Sequence, residues 1–227
     1  MSFTEIKPIG FCEWWRTESA PEYTNFVSSL GISVLALVYL YHSASHYHQL
    51  YEFVYVSLFW NGIASAIFHY TLWSLPGALD VVTMLQTGFA LLFVIHYTLQ
   101  DMETYPQLYM SLKAIFVGAS SLLIVLSIWK GSNIDFNWLL VLLILTIFLL
   151  VLREALIIRN RDFNICIILV ILEFMVGLSA WVSTEPWCET NAFLRHFFFF
   201  HSVWHLLAAD SICRLTRIQQ RIKQGDF

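Results

Sequence analysis

The sequence predicts an all-α polytopic membrane protein, seven transmembrane helices in one bundle, and two observations carry that prediction. Apolar residues make up 58% of the chain and charged residues only 12%, with a mean hydropathy of +0.66, far above an average soluble domain. Those apolar residues also gather into seven runs, each near the roughly 20 residues that a bilayer-spanning helix needs.

The first 22 residues are polar, with Glu5, Glu13, Glu18 and Glu22. They carry no signal-peptide pattern, so the first span, 24 to 45, is expected to act as an uncleaved signal. The second span is read at 51 to 74 and the third at 79 to 100, with Pro76 and Gly77 as the turn between them. The fourth, 107 to 129, follows Pro106, and the remaining spans are 136 to 157, 162 to 183 and 193 to 217. Connections are short, so consecutive helices are expected to pack antiparallel. No repeat, linker or low-complexity segment divides the chain, which reads as one domain over 1 to 227, with an N-terminal segment (1 to 23) and a short tail (218 to 227).

Basic residues set the expected orientation, because Lys and Arg near span ends stay cytosolic. Arg159, Arg161, Arg214, Arg217, Arg221 and Lys223 fall on one side. Lys7, Arg16, Lys130 and Arg195 fall on the other, and Lys113 is placed to snorkel toward the richer side. The tail is therefore expected in the cytosol and the N-terminus in the lumen or outside the cell. A net charge of -4 with no basic stripe excludes a nucleic-acid partner, and no obligatory protein partner is evident. Cys166 and Cys213 lie inside spans as ordinary buried thiols. Cys12 and Cys188 both fall on the oxidising side, which predicts a disulfide between them, the alternative being two free thiols.

Histidine inside hydrocarbon must hydrogen-bond, titrate or bind a metal, so intramembrane histidines mark a functional site. His201 and His205 stand four apart in the seventh span, which puts both on one helix face and suits two imidazoles on one metal. By spacing alone, packing and interhelical hydrogen bonding explain such a pair as well. His42 and His46 share the spacing near His48, at a span end where an interfacial role fits better. His69 in the second span changes the balance, because the predicted topology places it at the depth of His201. Three histidine ligands leave one tetrahedral position open, as in catalytic zinc. Ser65, one turn before His69, is a candidate oxyanion donor or a serine bonded to its own helix. Asp80 follows the turn and is a candidate general base, or an N-cap, or both. Glu173 and Asp210 lie deep in spans facing the bundle interior, whereas Arg153, Glu154, His96 and His196 read as interfacial.

Ser65-x3-His69, Asp80 and His201-x3-His205 together resemble the superfamily of seven-helix membrane hydrolases that includes alkaline ceramidases and adiponectin-receptor-like proteins. Within it the alkaline ceramidases are most similar. Phe11-Cys12-Glu13, the stretch Glu22 to Ser28, Phe68 to Leu72 and the stretch from Trp181 through Cys188 to His205 carry that resemblance. The resemblance implies hydrolysis of the ceramide amide to a sphingoid base and a fatty acid, in the endoplasmic reticulum or Golgi. It implies zinc on His69, His201 and His205, with Asp80 as general base and Ser65 as oxyanion donor. It also implies a calcium site, to which Glu13 and Glu22 correspond, with Glu18 a possible substitute. Here the chain departs from the pattern: Gly10 and Trp15 stand where the family has Asp and Asn. Rival readings are an acyl-ester or lipid-anchor hydrolase with the same zinc apparatus, a seven-helix receptor with a structural metal, and a haem protein.

Overall fold

A computed structural model describes residues 12–13, 21–43, 49–99, 137–197 and 199–226. Six long helices run through the described residues: α1 (Tyr23–Ser43), α2 (Gln49–Thr71), α3 (Ser74–Leu99), α4 (Asn137–Ile158), α5 (Arg161–Thr184) and α6 (Phe200–Gln224). Two short 3₁₀ turns, Glu185–Trp187 and Leu194–Phe197, lie between α5 and α6, and no strand occurs among the described residues. The expected span 107 to 129 lies outside them, as do His46, His48, Lys113 and Glu18.

Helices α1 to α5 are each long and apolar enough to cross a membrane. Helix α6 is not, because Asp210, Arg214, Arg217, Arg221 and Lys223 dilute its apolar content. It is nevertheless central, with Ser202, His205, Ser211, Thr216, Gln219 and Gln220 buried against α1, α3 and α5. Polar residues inside and exposed apolar ones outside, such as Val34 and Leu37 on α1, Leu145 and Leu149 on α4 and Ile168 and Leu172 on α5, are the pattern of a bundle solvated by lipid.

The chain folds as α1 on α2, α2 on α3, and α6 between α1 and α5. Helices α3 and α4 run parallel: Leu85 groups with Leu140 and Leu143, and further along Leu91 and Ile95 group with Val151. The α1–α2 seam is held by small residues, since helices in lipid associate through close packing. Ser29 and Ser33 of α1 face Gly62, and the Ser33 hydroxyl donates to Phe59 O at 2.9 Å. A Cβ at Gly62 would stand 2.7 Å from Ser29 O, so backbone would have to move. Gly62→Ala is expected to cost about 1–3 kcal/mol, as overpacking does. Thermal unfolding in detergent checks this, and an unchanged midpoint refutes the seam.

Three expectations need correction. The turn between the second and third spans is at Leu72 and Trp73, with Leu72 in the left-handed region at φ 53°. Pro76 and Gly77 lie in the first turn of α3, where proline removes no helical hydrogen bond and where glycine lets the Phe68 ring pack close, 2.9 Å from a would-be Cβ. Asp80 therefore sits inside α3 and is not its N-cap. The last helix begins at Phe200, not 193, since residues 194–197 form a 3₁₀ turn. Glu154 is not interfacial: it is fully buried, and Gln219 Nε2 donates to it at 2.6 Å. Packing against α6 covers Glu154, while Arg153 beside it stays exposed.

Glu173 and Asp210 also acquire partners. Asp210 accepts from the Tyr39 hydroxyl at 3.0 Å and from Arg214 at 2.5 Å, and Glu173 lies 3.5 Å from Arg214. This ionic cluster joins α1, α5 and α6.

Candidate metal centre

One end of the bundle collects the start of α1, the end of α2, the start of α3, the end of α5 and the start of α6. Arg159, Arg161, Arg221 and Lys223, at the start of α5 and the end of α6, occupy the opposite end. His69, His201 and His205 meet at the first end, each with a potential ligand atom within 4.8 Å of the others, and all are buried. Their ring centroids are 5.2 Å apart from His69 to either partner and 4.4 Å between His201 and His205. The i, i+4 spacing on α6 aligns two rings along one face, and α2 delivers the third.

Each imidazole has its Nδ1 turned toward a second polar group. His69 Nδ1 lies 2.6 Å from Glu22 Oε2, and the Glu22 backbone N–H donates to His69 O at 2.9 Å. His205 Nδ1 lies 2.9 Å from Ser28 Oγ and 3.3 Å from Ser29 Oγ. His201 Nδ1 lies 3.8 Å from Glu185 Oε1. Partners at Nδ1 fix ring orientation and leave Nε2 as the donor toward a metal. Three buried neutral nitrogens converging this way fit a zinc ion with one position left open.

Asp80 and Ser65 join the same end. Asn61 Nδ2 donates to Asp80 Oδ1 and to Asp80 O, both at 3.2 Å. Ser65 Oγ accepts from Ser29 Oγ at 3.1 Å. Ser65 is thus engaged across helices. A polar path runs Ser65, Ser29, His205.

Glu13 and Glu22 are both buried, and the structure places them at the start of α1. The Glu13 carboxylate accepts from the backbone N–H of Thr24 at 2.8 Å and of Asn25 at 3.0 Å. A carboxylate there satisfies amides that the helix cannot and complements its dipole. Glu22 also accepts from Asn25 Nδ2 at 3.3 Å, and Asn25 Oδ1 accepts from the Ser202 hydroxyl at 2.9 Å, tying α1 to α6.

Cys12 and Cys188 form the expected disulfide, 176 residues apart in sequence, with Cα atoms 5.2 Å apart. Cys12, Glu185 and Cys188 cluster closely enough to suggest a second metal site, but the bridged sulfurs are not thiolates and offer no such ligands. Glu185 instead accepts from Cys12 N at 2.6 Å. Arg195 holds the adjoining segment, donating to the carbonyls of Cys188 at 2.9 Å and Glu189 at 2.8 Å.

Sequence reasoning missed Ser28, Ser29, Asn61 and Glu185. Asn25, Ser29 and Ser33 recur every four residues in an apolar helix, a polar stripe that could have revealed the first group. Nothing around Glu185 in the sequence distinguishes it from any loop acid.

A family model described as Ceramidase matches residues 8–223, nearly the whole chain. No curated protein matches the chain.

Proposed function

The chain belongs to the ceramidase family, and from that premise we propose that it is a zinc-dependent intramembrane amidohydrolase that cleaves ceramide to a sphingoid base and a fatty acid. The observation that carries the proposal is the convergence of His69, His201 and His205, with Ser65 joined to His205 through Ser29 and Asp80 held by Asn61 at the same end of the bundle. When bound, zinc supplies Lewis acidity and makes water a nucleophile at neutral pH.

The residues do the rest. Asp80 takes the proton from the attacking water and hands it to the departing amide nitrogen, so that the C–N bond breaks to give a carboxylic acid and a free amine. Asn61 orients the Asp80 carboxylate. Ser65 directs its hydroxyl toward the carbonyl oxygen as charge builds there. Glu22, Ser28 and Ser29 hold the imidazoles in register, which limits reorganisation during the reaction. A site near one end of a bundle clad in exposed apolar side chains receives a two-chain lipid laterally, without extracting it from the bilayer.

We place this end of the bundle in the lumen of the endoplasmic reticulum or Golgi, because the basic residues of the opposite end favour the cytosol. Calcium is assigned to the neighbourhood of Glu13 and Glu22. Purified protein assayed on ceramide, phytoceramide and phospholipid tests the substrate class, with turnover expected on the amide lipids and not on the ester. The same assay after zinc-selective chelation is expected to read zero and to recover on zinc addition. Partial loss on calcium-selective chelation is expected for the second ion. Phospholipid turnover without ceramide turnover would make the protein an ester hydrolase.

A further inference from the structure

Glu185 is a buried carboxylate that the chemistry above does not use. It is only 6% exposed, in the turn after α5. Its Oε2 accepts from the Cys12 backbone N–H, while its Oε1 accepts no hydrogen bond and lies 3.8 Å from His201 Nδ1. Among the described residues, the only ion pair it makes is with His201. A buried carboxyl oxygen left without a hydrogen bond is costly, and the His201 ring is the polar group that faces this one. The other two imidazoles each have an oxygen within 3 Å of Nδ1, from Glu22 and from Ser28. Glu185 is the matching oxygen for the third.

We infer that Glu185 is the positioning residue of His201, and that the Cys12–Cys188 bridge keeps it in place. Resting on the zinc reading above, it works as follows. With the metal bound, Glu185 would accept a hydrogen bond from His201 Nδ1–H, which fixes the tautomer that presents Nε2 and raises the basicity of that nitrogen toward the metal. At 3.8 Å the pair is outside hydrogen-bond range. A metal ion held on Nε2 would make Nδ1–H a stronger donor toward Glu185. The bridge enters because Cys12 supplies both the N–H that anchors Oε2 and the sulfur joined to Cys188, three residues past Glu185. Zinc retention is thereby tied to the redox state of the Cys12–Cys188 bond.

Zinc affinity of the full-length protein, measured by competition with a chromogenic chelator, tests this on wild type, Glu185→Gln and Glu185→Asp. The glutamine keeps shape and loses charge, and it is expected to bind zinc about 10–100-fold more weakly, the usual effect of losing an outer partner. Aspartate is expected to recover part of that loss, with the metal-free thermal midpoints of all three coinciding, which a merely structural residue would not give. Wild-type affinity in Glu185→Gln overturns the inference and leaves the zinc reading standing. No zinc binding by the wild type overturns both. Should Glu185→Gln fail to fold, wild type with Cys12–Cys188 reduced replaces it. Weakening of the same order is expected there, and unchanged affinity with both thiols mapped as free overturns the inference.

Discussion

Replacing His205 with alanine is expected to strip the protein of zinc and to abolish ceramide hydrolysis. The ring is one of three nitrogen donors, and its loss leaves two, too few to hold a dication against water and chelators. Loss of an outer partner alone weakens metal binding by about 10–100-fold, so removing a ligand is expected to exceed the upper end of that range. Ser28 and Ser29, which face its Nδ1, already donate to Asn25 O within α1, so the helix should survive. Metal analysis beside a turnover assay reads both effects, with His42→Ala, exposed at the far end of α1, as the control. Full activity in His205→Ala sinks the zinc mechanism.

Asp80→Asn is expected to behave differently. It should keep its zinc and lose about 10²–10⁴-fold in kcat, the range for a general acid–base group. The amide has nearly the shape of the carboxylate, yet it cannot take a proton from water or pass one to the leaving nitrogen. Its carbonyl oxygen can still accept from Asn61, so KM should change little. Loss of zinc along with activity would make Asp80 part of the metal's support, and unchanged kcat would remove it from the mechanism. The two variants together separate metal binding from proton transfer.

Much of the candidate site was legible because membrane helices make polar residues conspicuous. His69, His201 and His205 stand out against apolar neighbours, and the helical repeat puts His201 beside His205 without any tertiary knowledge. The meeting with His69 depended on two helices reaching the same end of the bundle, which short connections predict. Cys12 and Cys188 followed from topology in the same way. Where local sequence competed with packing, prediction failed. Pro76 and Gly77 looked like a turn, but proline is equally at home in a first helical turn, and the contact between Gly77 and Phe68 is invisible in one dimension. Glu154 looked interfacial because it lies near a helix end beside Arg153, and only the arrival of Gln219 from α6 explains its burial.

The sequence by itself determined that this protein is a helical membrane protein, that its histidines are spaced for a metal, and which family it resembles. Composition and periodicity act over one helix, and a bilayer punishes each unpaired polar group, so such residues announce themselves. Only the tertiary structure decided which oxygens lie beside which imidazole: Glu22 beside His69, Ser28 and Ser29 beside His205, and Glu185 at 3.8 Å from His201. Those partners are separated from their histidines by 47, 177 and 176 residues and, for Glu185, by a turn of only 16. An orienting contact is a matter of ångströms between side chains on different elements, and no pattern along a single helix encodes it.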